Sequence, residues 1–364
     1  MTTIRVFAQD DIPAATALLA RVSPEHGWRT MAECECYFRE LLFDNPWRDL
    51  EVPSWVAEHD GRMAGFYAIM PRSMLFRGRL LRVAVGCQIS IAPECRHSLT
   101  ALQLVQACLR GTQDLYVANA AHNGARRMWL GMGGAAPLLY GLDWIRPLRP
   151  ARCVLSLLEQ RAGVPRALTL AARPLSALAD LFAAKSRWNR FYGAGTDIAD
   201  EDLDPATVPT HLTEVLDGTA LRPVYDARSL AWLLRQAARK TCHGRLRARG
   251  VRNGTGRMIG WYLYYVQPGG ISEVVQIAAR KDDYDRVLQR LFADAWRQGA
   301  AALRGRLDPR YAEELSARHC WFRREGRSTL VHSRHADVMD ALWHGDAFLS
   351  RLEAEWWVSL VNAY

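Results

Sequence analysis

One stretch of the chain, VAVGCQISIAPECRHSLTALQLVQACLRGT over residues 83–112, restricts the fold most strongly. It predicts an apolar strand, a turn at Pro93-Glu94-Cys95-Arg96, and then a helix with apolar residues at helical spacing. The first N–H groups of a helix have no partner within it, and together with the helix dipole they favour an anion, typically a phosphate. Arg96 and His97 add positive charge to this turn. The stretch therefore predicts an anion site where the helix begins.

The pattern over residues 1–150 predicts ten elements in the order β, α, α, β, β, β, α, β, α, β. Asp60-Gly61 between two apolar runs is a strong signal for a tight hairpin. The last of these strands is expected within PLLYGLDWIRPL, residues 137–148. Such an order is typical of a mixed sheet with helices on its faces, in the α/β or α+β class.

The remainder of the chain indicates a second, related domain. Residues 151–204 predict a helical linker with two proline breaks, and the acidic segment DIADEDLDPATVP marks its end. Residues 205–364 then repeat the first order of elements in abbreviated form. The segments HDGRMAGFYAIM and GTGRMIGWYLYY resemble one another, which indicates an internal duplication. We therefore expect two mixed-sheet domains, 1–150 and 205–364, joined by the linker.

The charge is strongly positive, at +9 over 364 residues, and only three of the 47 cationic side chains are lysines. Arginine suits phosphate and carboxylate groups, so both an anionic ligand and a nucleic acid fit this excess, as does a compositional bias towards arginine. The arginine-rich segment RLRARGVR alternates as a solvated strand does, and no recognised nucleic-acid module is present. We therefore expect no nucleic-acid partner.

Cysteine spacing and hydropathy indicate the cellular compartment of the protein. The eight cysteines are scattered without metal-ligand spacing, so we expect reduced thiols and no metal. No apolar run is long enough to predict a membrane span. The N-terminal MTTIRVFAQDD places acidic residues where a signal peptide has apolar ones, which favours a cytoplasmic location.

By these motifs the first half resembles the GNAT acyltransferase superfamily, in which a turn of pattern P-x-x-R/Q-x-x-G-x-G/A follows the fourth strand. Pro93, Arg96 and Ala101 match that pattern, whereas Leu99 replaces the first glycine and is expected to narrow the turn. The resemblance implies that the turn holds the pyrophosphate of an acyl-coenzyme A, and that the fourth strand holds its pantetheine arm. The residues so implied are Arg96, His97, Ser98, Leu99, Thr100 and Ala101 for the pyrophosphate, and Ile89 and Ile91 for the arm.

A second family feature follows the fifth strand, where an asparagine precedes an alanine and an aromatic residue. Asn123 is the implied coenzyme contact, and Trp129 stands where the family often has a tyrosine that protonates the departing thiolate. An indole cannot act as an acid near neutral pH, so another group or solvent must supply that proton. In the second half, Lys281-Asp282-Asp283-Tyr284 follows the corresponding strand, and its carboxylates repel phosphate. We therefore expect one coenzyme site per chain, in the first half.

Three residues are candidates for the chemistry itself. Gln88 lies on the fourth strand, where it would orient the acceptor or a water molecule. His122 follows the fifth strand and is a candidate for proton transfer at the reaction centre. Tyr116, on the fifth strand, is a candidate proton donor. Trp356 and Trp357 fit either a packed terminal helix or a wall for a sugar ring.

The resemblance implies a tandem GNAT-like N-acyltransferase that moves an acetyl or other acyl group from acyl-CoA to a primary amine by direct attack. It implies a small polar acceptor, with an amino sugar as our choice within that class, and the sequence leaves the oligomeric state open. One alternative is an aminoacyl-tRNA-dependent transferase of the same tandem fold, which needs no glycine-rich turn and suits the basic charge. The other is a catalytically silent binding protein.

Overall fold

The structure, a computed structural model, describes residues 2–23, 30–160, 165–185, 198–324 and 327–354. Its strands are β1 Thr2–Val6, β2 Trp55–His59, β3 Arg62–Phe76, β4 Arg79–Ile91, β5 Leu115–Ala121, β6 Asp143–Pro147, β7 Ala199–Asp202, β8 Leu221–Pro223, β9 Arg245–Arg252, β10 Met258–Val266, β11 Ile271–Ala279, β12 Ala302–Arg306, β13 Trp321–Arg323 and β14 Ser328–Ser333. Its helices are α1 Ile12–Val22, α2 Met31–Leu42, α3 Thr100–Leu109, α4 Asn123–Gly131, α5 Pro150–Glu159, α6 Arg166–Lys185, α7 Val208–Val215, α8 Ala227–Ala238, α9 Tyr284–Arg297, α10 Ala312–Ala317 and α11 Ala336–Trp343. Trp356 and Trp357 lie outside the described residues.

The expected class and the order of the first ten elements are confirmed, from β1 through α4 to β6. Asp60 and Gly61 both take positive φ angles, 49° and 73°, as the tight turn between β2 and β3 requires. The chain folds into two compact units. Unit 1 comprises Met1–Gly141, Gly218–Cys242 and Gly326–Tyr364, and unit 2 comprises Leu142–Asp217 and His243–Glu325.

Unit 1 contains a seven-stranded sheet in the order β1-β2-β3-β4-β5-β14, with β8 paired to β3. All its pairs are antiparallel except β4 with β5. On one face, Phe66 of β3 packs edge-on against Phe38 of α2, with ring centroids 5.6 Å apart. On the other face, Leu104 and Val105 of α3 join a buried cluster with Tyr67 of β3. Helices α2 and α3 therefore cover opposite faces of this sheet.

Unit 2 contains a second seven-stranded sheet, in the order β13-β6-β12-β11-β10-β9-β7, in which only β11 and β12 are parallel. Its core is built on strands β10 and β11, both buried throughout, and on helix α9. The succession β9, β10, β11, α9, β12 matches β2, β3, β4, α3, β5 of unit 1, as the internal duplication predicts.

The division of the chain differs from the boundaries expected at residues 150 and 204. Strand β6, expected to complete the first sheet, pairs with β12 and β13 in the second, while β14 pairs with β5 in the first. Helices α5 and α6 belong to unit 2 and are not a separate linker. The last strand of each half thus completes the sheet of the other half. Any sheet edge offers the same backbone donors and acceptors, so the sequence pattern does not show which edge a strand joins.

Candidate functional site

Strands β4 and β5 pair over only three residues and then part. Val83–Val85 pairs with Leu115–Val117, and beyond that point β4 follows β3 as far as Ile91 while β5 follows β14 as far as Ala121. The facing backbone groups of the two strands are therefore not joined to each other past Val85 and Val117. The result is a gap in the middle of the sheet, between the carboxyl ends of two parallel strands.

A β-bulge lies where β4 leaves β5. Ala68 of β3 pairs with Gln88 and Ile69 pairs with Gly86, so Cys87 is the extra residue. A bulge bends its strand and re-aims the side chains that follow it. The bulge thus turns the second half of β4 away from β5 and helps to open the gap.

The side chains along the gap divide between the two sheet faces. Ser90 is paired with Phe66, which contacts α2, so Ser90 and Gln88 lie on the α2 face. The amide nitrogen of Gln88 donates to the Ser90 hydroxyl at 3.2 Å. Ile89 and Ile91 pack instead against the cluster that contains α3. One face of this strand is therefore polar and the other apolar, as its alternation predicts.

Asn119 of β5 lies across the gap from these residues, and sequence reasoning missed it. It lies two residues beyond Val117, in a bulge of β5 between Ala118 and Ala121, and since both alanines pack against the α3 cluster, Asn119 is left on the face of Val117. Val117 is paired with Val85, and Val85 with Met70, which alternation places on the α2 face with Phe66. Asn119 is 3% exposed, an unusual burial for an amide in a strand. The sequence signal for this residue is that Asn119 is the one amide in the strand LYVANAA.

The turn between β4 and α3 has the predicted form. Pro93–Cys95 forms a short 3-10 helix, and α3 begins at Thr100. The Ser98 hydroxyl donates to the Cys95 carbonyl at 2.7 Å and accepts the Thr100 N–H at 3.3 Å, which fixes the helix start. Ala101 is the second residue of α3, so its N–H belongs to the first turn, which has no partner within the helix.

Leu99 takes an ordinary backbone conformation at the position where the family has glycine. Its backbone has φ −77° and ψ 6°, an ordinary conformation for a residue with a side chain, and its side chain is 67% exposed. Glycine is required where φ is positive or where a backbone approaches closely, and the turn has no positive φ at this position. Leucine therefore occupies this position without backbone strain.

The charges at this turn favour an anion. Arg21 of α1 binds the Glu94 carboxylate at 2.9 Å, and the backbone N–H of Glu94 and Arg21 together lower the pKa of that carboxyl. No carboxylate partner of Arg96 or His97 is found within the parts of the chain that the structure describes. Since Glu94 is matched by Arg21, the remaining charge beside the first turn of α3 is positive.

His122 caps helix α4. Its Nδ1 accepts the N–H groups of Gly124 at 3.1 Å and Ala125 at 3.3 Å. A ring nitrogen that accepts must carry no proton, so the cap assigns the remaining proton of the neutral ring to Nε2. In this state the ring donates through Nε2, and its one basic lone pair, on Nδ1, is engaged by the cap. Asn123 is the first residue of α4 and is exposed, beside this cap.

Trp129 belongs to the core. Its side chain is 2% exposed, its Nε1 donates to the Val331 carbonyl at 3.0 Å, and its ring lies 4.4 Å from that of Tyr116. Indole rings usually find a hydrogen-bond partner when they are buried, and Val331 supplies it here. The contacts of Trp129 are structural, and we assign it no ligand contact.

Tyr116 forms a buried pair with Tyr67 of β3, a partner that sequence reasoning missed. The two hydroxyl groups are hydrogen-bonded to each other, and the residues are 1% and 6% exposed. Both hydroxyls lie where a side chain of Gly86 would be: an added Cβ would contact the Tyr116 oxygen and would lie 2.7 Å from the Tyr67 oxygen. Gly86 follows Val85, the last residue of β4 to pair with β5. The pair therefore lies beneath the closed end of the gap.

In unit 2 the corresponding strand end is bound by an aromatic side chain. Strands β11 and β12 pair only over Ile271–Glu273 and Ala302–Arg304, as their counterparts do. However, the Tyr311 hydroxyl donates to the carbonyl of Ala279, the last residue of β11, at 3.1 Å. The ring of Tyr284 stacks on that of Tyr311 with centroids 3.6 Å apart. Two stacked aromatic rings thus lie at the carboxyl end of β11.

No group of three or more potential metal ligands occurs among the residues that the structure describes. Within the same residues, no helix is both long and apolar enough to cross a membrane.

The chain is similar in structure to several acyltransferases. A GCN5-related N-acetyltransferase from Anabaena variabilis matches with a TM-score of 0.56 and 12% identity, over 92% of this chain and 74% of that one. A probable N-acyltransferase of unknown function from Enterococcus faecalis matches with a TM-score of 0.58 and 10% identity, over 92% and 72%. Saccharomyces cerevisiae N-myristoyltransferase with bound myristoyl-CoA matches with a TM-score of 0.51 and 11% identity, over 91% and 78%.

No protein-family model and no curated protein sequence matches the chain. At 10–12% identity the structural similarity shows a shared fold. The chain therefore has the GNAT fold, in a form with two mixed sheets, as the sequence resemblance predicts.

Proposed function

We propose that this chain is an N-acyltransferase that takes its acyl group from an acyl-CoA, most simply acetyl-CoA, and transfers it to a primary amine. The observation that carries the proposal is the gap that opens between β4 and β5 past Val85 and Val117, beside the first turn of α3. When bound, the acyl-CoA supplies an acyl group activated as a thioester. The protein supplies a binding site, an orientation for the acceptor and a proton.

The donor side of the gap suits a coenzyme with a pyrophosphate group. The first N–H groups of α3 and the guanidinium of Arg96 would bind the phosphates, with His97, Ser98, Leu99 and Thr100 shaping the turn around them. The apolar side chains of Ile89 and Ile91 would flank the extended arm along β4. Asn123 is exposed at the start of α4 and is available for a polar contact to the arm.

The acceptor side is the α2 face, where three uncharged polar side chains flank the gap. Gln88 and Ser90 come from β4 and Asn119 from β5. Uncharged donors and acceptors orient an amine without favouring its protonated form, which is the unreactive one. Because these groups are amides and a hydroxyl, a small acceptor rich in hydroxyl groups, such as an amino sugar, fits them best. His122 enters the proposal as a hydrogen-bond donor through Nε2.

The proton for the leaving sulfur comes, in this proposal, from the Tyr67–Tyr116 pair, and the proton that the amine loses as the amide bond forms passes to solvent, from which the pair is reprotonated. The two phenolic hydroxyls are hydrogen-bonded to each other beneath Gly86, at the closed end of the gap. A hydrogen bond from one phenol stabilises negative charge on the other, so a pair is a better proton donor than either phenol alone. In this proposal Tyr67 of β3 and Tyr116 of β5 supply the proton that the indole of Trp129 cannot supply.

Calorimetric titration with acetyl-CoA tests the proposal. Ala101→Glu places a carboxylate in the first turn of α3, where it suits the helix dipole but repels phosphate. We expect saturable binding by the wild type and loss of that binding in Ala101→Glu. Ala227→Glu is the matched control, because it makes the same change at the exposed first residue of α8, and it should bind as the wild type does.

Three results would count against the proposal. They are no binding of acetyl-CoA by the wild type, undiminished binding by Ala101→Glu, and equal loss in both variants. Salt-sensitive binding of aminoacyl-tRNA in place of acetyl-CoA would favour the tRNA-dependent transferase. Binding of acetyl-CoA without transfer to any amine would favour the silent binding protein.

A further inference from the structure

Unit 2 contains a cavity of about 300 Å³ between helices α5 and α6 and the turn that joins β10 to β11. Its volume is at the lower end of the range for small-molecule sites. The polar side chains of its lining are Arg152, Ser156 and Glu159 of α5, Arg173 and Ser176 of α6, and Gln267 of the turn. All of them belong to unit 2, so the cavity is not part of the gap between β4 and β5.

Contacts between α5 and α6 hold the two walls of the cavity in place. The Asp180 carboxylate of α6 accepts the N–H groups of Ala151 at 2.9 Å and Arg152 at 3.1 Å, at the start of α5. Near the end of α5, the Glu159 carboxylate binds the Arg173 guanidinium of α6 at 3.1 Å. The helices are thus joined on both sides of the cavity. A ligand that enters a preformed site of this kind pays little for ordering it.

The charges at the cavity cancel. Arg152 lies 3.9 Å from the Asp180 carboxylate, and Arg173 pairs with Glu159, so two cationic side chains are matched by two carboxylates. With this balance the lining attracts neither an anion nor a cation over a long range. The lining therefore favours a ligand that is polar and uncharged.

Several polar groups of the lining have hydrogen-bonding capacity to spare. Ser156 is 8% exposed, and its hydroxyl donates only to the Gly269 carbonyl at 3.5 Å, the outer limit of a hydrogen bond. The Arg152 guanidinium is too far from Asp180 for a hydrogen bond and has no other acceptor in the described parts of the chain. The side-chain amide of Gln267 also has no partner among the described residues. Polar groups in a cavity are stabilised when a ligand or solvent bonds to them.

We propose that this cavity binds an uncharged sugar of monosaccharide or disaccharide size. Its guanidinium groups can only donate, whereas the Glu159 carboxylate and the Gly269 carbonyl can only accept. A hydroxyl does both, so a ligand with hydroxyl groups on neighbouring carbons satisfies this mixture, whereas a phosphate satisfies only the donors. Leu155 and Pro268 offer apolar surface to the CH groups of a sugar ring.

The described lining contains no aromatic side chain on which a nucleobase would stack. This favours a sugar over a nucleoside of similar size. The proposal concerns unit 2 and is independent of the acyltransferase site.

Saturation-transfer-difference NMR with glucose and sucrose tests the proposal on the full chain. At least one of the two sugars should give a saturable signal that excess phosphate does not remove. Ser176→Trp should weaken this binding by at least about tenfold, because the indole fills space that a ligand with several hydrogen bonds would occupy. Gln267→Leu leaves the cavity open and removes one amide, so it should weaken binding by about threefold to tenfold.

Ala179→Trp is the matched control, because it introduces the same side chain on α6 at an exposed residue outside the lining. It should bind as the wild type does, and thermal unfolding should be the same in all three variants. The proposal would be overturned by no saturable signal from either sugar with the wild type, or by undiminished binding in Ser176→Trp. Equal loss in Ser176→Trp and Ala179→Trp, or displacement of the sugar by phosphate, would overturn it as well.

Discussion

Gly86→Ala is expected to destabilise the protein by overpacking the Tyr67–Tyr116 pair at the candidate site. The added methyl group would contact the hydroxyl of Tyr116 and would lie 2.7 Å from the hydroxyl of Tyr67. Neither ring has room to withdraw, because both are buried and Tyr116 packs against Trp129 at 4.4 Å. Overpacking of this kind costs about 1–3 kcal/mol of the free energy of unfolding.

A double-mutant cycle separates the cost of this steric clash from the cost of losing the hydrogen bond between the two tyrosines. Tyr116→Phe alone should cost about 1 kcal/mol, because it removes the hydrogen bond to Tyr67. In Gly86→Ala/Tyr116→Phe the nearest clashing oxygen is absent, so we expect the double variant to be more stable than the sum of the single effects, by about 1 kcal/mol. The free energies are measured by urea denaturation.

Gly131→Ala is the control for the loss of a glycine. An added Cβ at Gly131 meets no atom within 4 Å, and the residue is in helix α4. The substitution should therefore be neutral or stabilise by up to about 1 kcal/mol. The packing that we describe around the tyrosine pair would be refuted if Gly86→Ala changed the free energy of unfolding no more than Gly131→Ala does. Strict additivity of the free energies in the double-mutant cycle would refute it as well.

Two further predictions concern the proton donor Tyr67 and the buried lysine Lys240. Tyr67→Phe should lower kcat by about tenfold to a hundredfold with KM for acetyl-CoA unchanged, as expected for the loss of a proton donor, and a change in KM alone would contradict it. Burial lowers the pKa of Lys240, beneath the ring of Tyr37, to about 7 from 10.5, so the unfolded chain binds a proton that the folded chain lacks between these values. The contribution of Lys240 to stability should therefore rise from pH about 7 to pH about 10, so the wild type should gain stability relative to Lys240→Met across this range in urea denaturation. The comparison cancels the opposite effect of the buried thiols, whose pKa values burial raises in both proteins.

The sequence was sufficient for the local structure of the site. The strand, turn and helix from β4 to α3 were predictable because apolar spacing, Pro93 and the serine before the helix all indicate the same elements. The single site in unit 1 was predicted from the acidic turn of unit 2. That prediction stays untested, although the structure places the stacked rings of Tyr311 and Tyr284 at the carboxyl end of β11 in unit 2.

The sequence was insufficient wherever a side chain's role depends on the local path of the backbone or on partners that are distant in the sequence. His122 was interpreted as a candidate for proton transfer, but its Nδ1 caps α4, and this depends on the path of the backbone after β5. Tyr67 and Asn119 were missed because their partners lie on neighbouring strands, in a register that a single sequence does not reveal. Trp129 occupies a family motif position yet packs inwards on Val331, which β14 brings from the far end of the chain.

A crystal structure of the protein with acetyl-CoA tests the central claim most directly. We predict the pyrophosphate within hydrogen-bonding distance of the backbone N–H groups at the start of α3, and the pantetheine arm between β4 and β5 past Val85 and Val117. The thioester should then lie next to the Tyr67–Tyr116 pair. A coenzyme bound in unit 2, or an empty gap in unit 1 at a concentration that saturates binding in solution, would contradict the account.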